Sequence, residues 1–361
     1  MSNITPLFDR HRGLGARMVE FAGFHMPIQY EGIQKEHMAV RRNVGLFDVS
    51  HMGEFVVEGP GAAAFLNYVL ANDVMRLRPG KAQYSYIPNP QGGVKDDLIV
   101  YQLASNRYML VVNAANVKKD WEWLVRHIQD FDVHLTDISE DTALLAFQGP
   151  RASEVLQPLT AIAVDKIPFY QFQVGTVAGV PDVIISATGY TGAGGFELYI
   201  PSDAVGTIWD ALMDMGEVTP AGLGARDLLR LEMGYLLYGN DMDEATLALE
   251  AGLGWVTRFN KDFIGKPALW KAREEGLQRR LRGLVVMERG IPRTGQQVMD
   301  NQHRPIGIIT SGGFSPMLQK GIALAYLPAN FSEKEVLIQI RTKFVIAKVT
   351  QPPFIKPTPK P

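Results

Sequence analysis

Apolar residues recur along this chain at two periods, and the switches between them mark out its elements. The run Glu54-Phe55-Val56-Val57-Glu58 reads as a strand. Behind Gly59-Pro60, residues Phe65, Leu66, Val69 and Leu70 fall at helical spacing. The same succession returns further on. Residues 143–147 are strand-like, Gly149-Pro150 follows, and Ala152, Val155 and Leu156 mark a second helix. An N–H at the first helical position has no intrahelical partner to lose, so proline is favoured there, and both helices are predicted to open at their prolines. Two such units suggest α+β layers. A duplication and convergence on one kind of helix start both account for the echo.

Between the units the pattern is β-rich. Residues 82–87 and 98–103 read as strands joined by a loop holding Asn89, Pro90, Gly92 and Gly93, and residues 108–112 form a third strand. Residues 116–130 read as an amphipathic helix with Val117, Trp121, Leu124 and Ile128 on one stripe. A helix around Ile208, Trp209, Leu212 and Met213 reads the same way. Gly265 and Pro267 open another, expected to close with Arg279, Arg280 and Arg282. From about residue 283 the chain turns to short β-runs at 283–287, 307–310, 321–325, 336–340 and 344–350, a small barrel or jelly-roll module. Residues 352–361 are proline-rich and expected to be loose at the tip.

Composition narrows the chemistry. At 361 residues the chain is long for one core, so two or three domains are expected. Hydrophobic residues at 46% and charged residues at 20% are ordinary for a soluble globular protein. A net charge of −2 does not indicate a nucleic-acid partner. The absence of cysteine excludes a disulfide framework, thiolate metal sites and a cysteine nucleophile. No two histidines stand at metal-ligand spacing, so no metal is expected, and His51 is read as a hydrogen-bonded structural residue. No run of about 18 apolar residues calls for a membrane span, and the start shows no signal-peptide pattern; a cytoplasmic location is the expectation.

Three segments could carry chemistry. In Gly92-Gly93-Val94-Lys95-Asp96-Asp97-Leu98-Ile99-Val100-Tyr101 a glycine pair allows a tight turn into a strand. Alternation puts Asp97, Ile99 and Tyr101 on one face and Asp96, Leu98 and Val100 on the other, so one acid can meet solvent while the other enters a cavity. A desolvated carboxylate beside a tyrosine suits proton handling; a solvated turn acid is the bland alternative. The second segment is Thr188 to Ile200, a glycine-rich loop whose backbone could approach a ligand. Its strand points Phe196, Leu198 and Ile200 one way and Glu197 and Tyr199 the other. A carboxylate there can accept two parallel N–H bonds from a planar heterocycle, or simply face water. The third is Gly222 to Tyr235. Arg226, in the first turn of a helix, opposes the helix dipole, which anion binding or a local acid would offset. There is no G-x-S-x-G elbow, and residues 189–195 lack the lysine of a phosphate loop.

Taken together these segments resemble the T-protein (aminomethyltransferase) family of the glycine cleavage system. The resemblance runs nearly end to end: Thr5-Pro6-Leu7-Phe8, Gly45 to Gly53, Ala71-Asn72-Asp73-Val74, Gly92 to Asp97, Val112 to Asn116, Thr188 to Gly192, Gly222 to Asp227 and Thr310 to Pro316. It implies a three-domain cloverleaf around a central folate cavity, with residues 1–52 plus 137–278, 53–136 and 279–361 as the domains. It implies an enzyme that takes the aminomethyl group on the dihydrolipoyl arm of H-protein, releases ammonia and leaves 5,10-methylenetetrahydrofolate. By the same resemblance Asp97 is the catalytic aspartate, orienting the reduced folate and raising the nucleophilicity of its ring nitrogen. Glu197 grips the pterin amino edge, Met52, Tyr84, Tyr101 and Asn113 line the cavity, and Phe169, Tyr190, Arg226 and Tyr235 surround the folate and its tail. Ala193-Gly194, Lys356 and Phe24 depart from the family's usual Glu-Asp, arginine and tryptophan. Another tetrahydrofolate-dependent demethylase or methylene acceptor of the same fold is the alternative.

Overall fold

The computed structural model describes residues 2–358. The fold is α+β. A six-stranded sheet runs in the order Phe172–Val177, Val180–Ser186, Gly195–Pro201, Thr142–Gln148, Val44–Asp48, Val218–Pro220, and only the last pair is parallel. A five-stranded antiparallel sheet runs Lys81–Pro88, Val94–Ala104, Arg107–Val112, Gly53–Glu58, His134–Asp137. A small three-stranded sheet holds the N-terminal segment.

The echo in the sequence extends to whole units. Gly53–Glu58 leads through helix Ala62–Val69 and a 3-10 turn at Val74–Arg76 into three antiparallel strands, the last of which returns beside Gly53–Glu58. Thr142–Gln148 leads through helix Ala152–Leu156 and a 3-10 turn at Val164–Lys166 into three strands of the same order. A shared helix start alone would not reproduce this course, so duplication is the better account. Both helices start two residues after their prolines, not at them. The preceding glycine explains why. Gly59 (φ 129°) and Gly149 (φ 147°) make a bend no side chain tolerates, and a Cβ would lie 2.7 Å from the Asp132 carbonyl oxygen or 2.1 Å from that of Asn43. The units join through their exposed first strands. Lys81 pairs with Gln171, the Ala82 N–H donates to the Tyr170 carbonyl (2.8 Å), and the Phe172 N–H donates to that of Gly80 (3.0 Å). Two open edges thus satisfy each other.

Each sheet buries one face under its own helices, around Phe147, Leu198 and Trp209 in one case and Phe55, Phe65 and Leu110 in the other. Their remaining faces meet in a mixed cluster of Phe47, Tyr101, Val111, Tyr199 and Leu229.

The C-terminal module is a closed six-stranded barrel rather than a jelly roll. The preceding helix, Lys266–Glu275, ends at Gly276 (φ 89°). Arg279, Arg280 and Arg282 therefore stand on the first barrel strand, Arg279–Val286, not on a helix end. A left-handed glycine stops a helix whatever follows it. Two buried ion clusters tie the barrel to helix Leu223–Met233. Glu232 accepts hydrogen bonds from His37, Arg41 and Ser315, and Arg230 donates to Asp227, Asp241 and Ser311. Residues 352–358 are not loose. The Phe354 N–H donates to the Glu232 carbonyl (2.8 Å), and the Thr358 N–H to that of Gly192 (2.9 Å). Residues 359–361 lie outside the described residues.

Candidate functional site

The glycine pair does two different jobs. Gly92 takes φ 84°, and a Cβ on Gly93 would stand 1.9 Å from the Glu244 carbonyl oxygen. The turn feeds strand Val94–Ala104, where alternation holds: Leu98 and Val100 enter the core under the helices, while Ile99 and Tyr101 enter the cluster between the sheets. Asp97 lies on the inter-sheet face. Its Oδ2 accepts from the Tyr84 hydroxyl (2.9 Å) and its Oδ1 from the Asn113 side-chain amide (3.0 Å).

Two details correct the expectation. The tyrosine bound to Asp97 is Tyr84 on the neighbouring strand, not Tyr101. Asp96 is not in water but completely buried: Asn113 and Asn116 side chains donate to its Oδ1 (2.8 and 2.6 Å), and the Asn113 N–H donates to its Oδ2 (3.0 Å). Burial, with the Asp96 charge added, pushes the Asp97 carboxyl up to about 7. Burial and the adjoining Asp97 hold the Tyr84 phenol well above its ordinary value, so it stays a donor.

Glu197 does not face water either. It is 5% exposed, on strand Gly195–Pro201. Phe196, Leu198 and Ile200 fill the helix-side core as predicted, and Glu197 and Tyr199 point inward between the sheets. A chain of hydroxyls leads to the carboxylate. Tyr199 donates to Tyr101 (3.0 Å), Tyr101 shares a hydrogen bond with Thr188 (3.1 Å), and Thr188 donates to Glu197 Oε2 (2.6 Å). Glu197 Oε1 has no protein donor among the described residues. Burial raises the Glu197 carboxyl, opposed by the Arg226 cation and the Thr188 bond.

Among the described residues Arg226 has no acid in hydrogen-bonding contact, and Glu197 acts on it through its charge alone. Its guanidinium lies 5.1 Å from the Tyr190 ring centre, and its Nη1 is buried with no partner among the described residues. Burial lowers its pKa against the pull of Glu197. Tyr190 donates to the Leu236 carbonyl and stacks on Tyr235 at 5.8 Å. The charge of Asp97 acts on Tyr190 and that of Glu197 on Arg226, and Arg226 in turn lies over the Tyr190 ring. Met52 packs half-buried against the cluster holding Tyr101. Phe169 is 44% exposed and edge-on to Tyr170.

In the glycine loop two close approaches are to the protein itself, since a Cβ at Gly189 would meet Gln148 Oε1 at 2.0 Å and one at Gly195 the Phe147 carbonyl at 2.3 Å, while a Cβ at Gly194 would meet nothing within 4 Å. Ala193 is fully buried in the inter-sheet cluster. His51, read as hydrogen-bonded, is buried among Phe21 and Phe24, and its Nδ1 has no partner among the described residues. Burial and the Arg226 charge push its pKa down to about 4 against the pull of Asp48, so it is neutral. Sequence reading missed Tyr170, held at φ 61°, and Trp255, 63% exposed and stacked on Tyr84 at 5.8 Å. Neither lies on a periodic stripe. Tyr170 stands in a loop and Trp255 closes the 3-10 turn Leu253–Trp255, so each offers the sequence no more than a lone aromatic residue.

Relatives bear on what this site serves. Residues 7–261 match the family model for the GCVT N-terminal domain, and residues 279–356 that for the glycine cleavage T-protein C-terminal barrel domain. An aminomethyltransferase of Flavobacterium psychrophilum is 49% identical over 357 residues, covering 98% of this chain and 99% of the relative. One of Bacteroides thetaiotaomicron is 50% identical over 359 residues, with the same coverage. The crystal structure of the glycine cleavage system aminomethyltransferase T of Bartonella henselae superposes with a TM-score of 0.94 at 35% identity, covering 99% of each chain. With matching models over both parts of the chain and relatives near half identity along its whole length, this enzyme belongs to the aminomethyltransferase family, the T-proteins of the glycine cleavage system.

Proposed function

We propose that the chain passes the methylene of an aminomethyl group, carried on the dihydrolipoyl arm of H-protein, to tetrahydrofolate, releasing ammonia and giving 5,10-methylenetetrahydrofolate. The observation that carries this reading is the pairing of a buried, proton-hungry Asp97 with a Glu197–Arg226 pair whose hydrogen-bonding capacity is not met by protein. Glu197 Oε1 and Arg226 Nη1 together fit a planar heterocycle with amino and carbonyl groups on one edge. The reduced pterin would supply the nitrogen nucleophile. Asp97 holds that nitrogen's proton environment, Tyr84 and Asn113 fix the carboxylate, and Tyr101, Met52 and Asn113 line the cavity. Phe169, Tyr190, Arg226 and Tyr235 flank the folate and its tail. Alignment of the two reactants supplies much of the acceleration in such transfers.

The division into units 1–52 with 137–278, 53–136 and 279–361, set as a cloverleaf around this site, belongs to the same proposal. Separate hydrophobic clusters in the sheets and the barrel support it. A cytoplasmic location belongs to the same proposal; no described helix is long and apolar enough to cross a membrane.

The test is an ammonia-release assay with aminomethylated H-protein. Ammonia is expected to appear with tetrahydrofolate and to fall sharply without it; release indifferent to folate would sink the reading, and turnover of a methylated donor instead would favour a demethylase. Glu197→Ala is expected to weaken tetrahydrofolate binding by about 10- to 10²-fold, the loss of charged hydrogen bonds. Its kcat at saturating folate should stay within a few-fold. Titration calorimetry showing unchanged affinity would remove Glu197 from the pterin edge.

A further inference from the structure

Behind Asp97 lies a second acid that nothing so far has used. Asp120 stands in the opening turns of helix Val117–His127 and is completely buried. Neither of its oxygens receives a hydrogen bond from any N–H or hydroxyl among the described residues. The nearby cations are committed elsewhere. Lys119 donates to the Lys95 carbonyl (2.5 Å) and the Tyr238 hydroxyl (2.8 Å), and Lys95 pairs with Glu244 (3.1 Å) and lies over the Trp123 ring. What Asp120 does reach is the Asp96 carboxylate.

Asp96 already accepts three N–H bonds, from Asn113 twice and Asn116 once, which is the environment of an ionised carboxylate. Two like charges in contact, one of them without a donor, are not stable at this depth. The arrangement balances if Asp120 keeps its proton and donates its O–H to Asp96.

We propose that Asp120, as a buried neutral acid donating to Asp96, is a positioning residue for Asp97. The link is Asn113. One amide hydrogen of Asn113 goes to Asp96 Oδ1, and the other is left for Asp97, whose Oδ1 and carbonyl oxygen lie 3.0 and 3.1 Å from the same nitrogen. Asp96 therefore sets the plane of the amide that holds Asp97, and Asp120 keeps Asp96 in place and ionised, with one charge on the pair. That charge is also one of the causes of the raised Asp97 carboxyl. The groups facing the pair are Asp97 and Lys95 on its own strand, Lys119 on the helix, and Tyr238, Asp243 and Glu244 on the facing loop.

The inference rests on the proposed role of Asp97, but part of its test does not. Infrared difference spectra of the full-length protein at pH 9, where Asp97 is ionised, should show a protonated carboxyl component that Asp120→Asn removes and Asp97→Asn leaves in place. In the ammonia-release assay, Asp120→Asn keeps an N–H donor toward Asp96 and should retain kcat within about threefold with an unshifted pH profile. Asp120→Ala should lower kcat by about 10- to 10²-fold, the scale of a misplaced reacting group, with KM for tetrahydrofolate little changed. The pH at which its rate is half-maximal should fall, because Asp96 then loses its donor and Asp97 its charged neighbour. No protonated component lost on Asp120→Asn, or a pH profile unmoved in a folded Asp120→Ala protein, overturns the proposal. If Asp120→Ala does not fold, the wild-type band and the Asp120→Asn profile still decide. An Asp97→Asn protein of undiminished rate with the band intact would instead refute the proposed function alone.

Discussion

Replacing Asp97 with asparagine is expected to lower kcat by about 10²–10⁴ while tetrahydrofolate still binds, because the amide keeps the shape of the carboxylate and loses its proton chemistry. Single-turnover ammonia release at saturating folate checks the first half and calorimetry the second. Burial and the Asp96 charge put the native carboxyl at about 7, so the wild-type rate should rise with pH through neutrality as Asp97 ionises, and the variant should lose that limb. The same shift has a consequence for stability. A carboxyl whose pKa is raised on folding binds a proton more tightly in the native state than in the unfolded chain. Between the ordinary aspartate range and about 7 it therefore costs stability as pH rises. Asp97→Asn should melt higher than the wild type at pH 8, with the difference shrinking toward pH 4. A variant that is both inactive and less stable at pH 8 would contradict this account of the site.

Glu232→Ala is expected to destabilise the fold by about 3–5 kcal/mol, the range for removing one partner of a buried ion pair. It would leave Arg41 and His37 buried without their carboxylate and cut the Ser315 link to the barrel. Urea unfolding followed by intrinsic fluorescence measures it, and the barrel should detach first. A loss under about 1 kcal/mol would show the cluster to be incidental. In the wild type, burial alone would raise the Glu232 carboxyl, but the His37 hydrogen bond and charge, the Ser315 bond and the Arg41 charge together hold it below 4.5. Its contribution is thus present above the unfolded value and is lost as pH falls through the lower native one. Acid unfolding monitored domain by domain should release the barrel early.

Strand facing is legible in the sequence because period-two alternation is a local property. Leu98 and Val100 went to one core and Ile99 and Tyr101 to the other without reference to anything distant. Helix ends fared worse. Pro60 and Pro150 were offset by glycines whose bends depend on Asp132 and Asn43, far away in the chain. The arginine cluster after residue 278 became a strand because Gly276 ended the helix first. Local pattern singles out Asp97, Glu197 and Arg226 and the family resemblance gives them roles, but pattern alone is equally compatible with solvent exposure or a nearby ion pair for each. Burial decided against those alternatives, and burial is a property of the assembled fold.

By itself the sequence determined which residues face which side of each strand and that the chain supplies no thiol of its own. These follow from pleat geometry, which acts within a few residues, and from composition. Only the tertiary structure decided that Tyr84 rather than Tyr101 holds Asp97, that Asp96 is shut away with Asp120, and that Arg226 goes without an acid in hydrogen-bonding contact. Those outcomes depend on which groups desolvation brings together from separate strands and helices, and the cost or gain of each is fixed by its neighbours after packing.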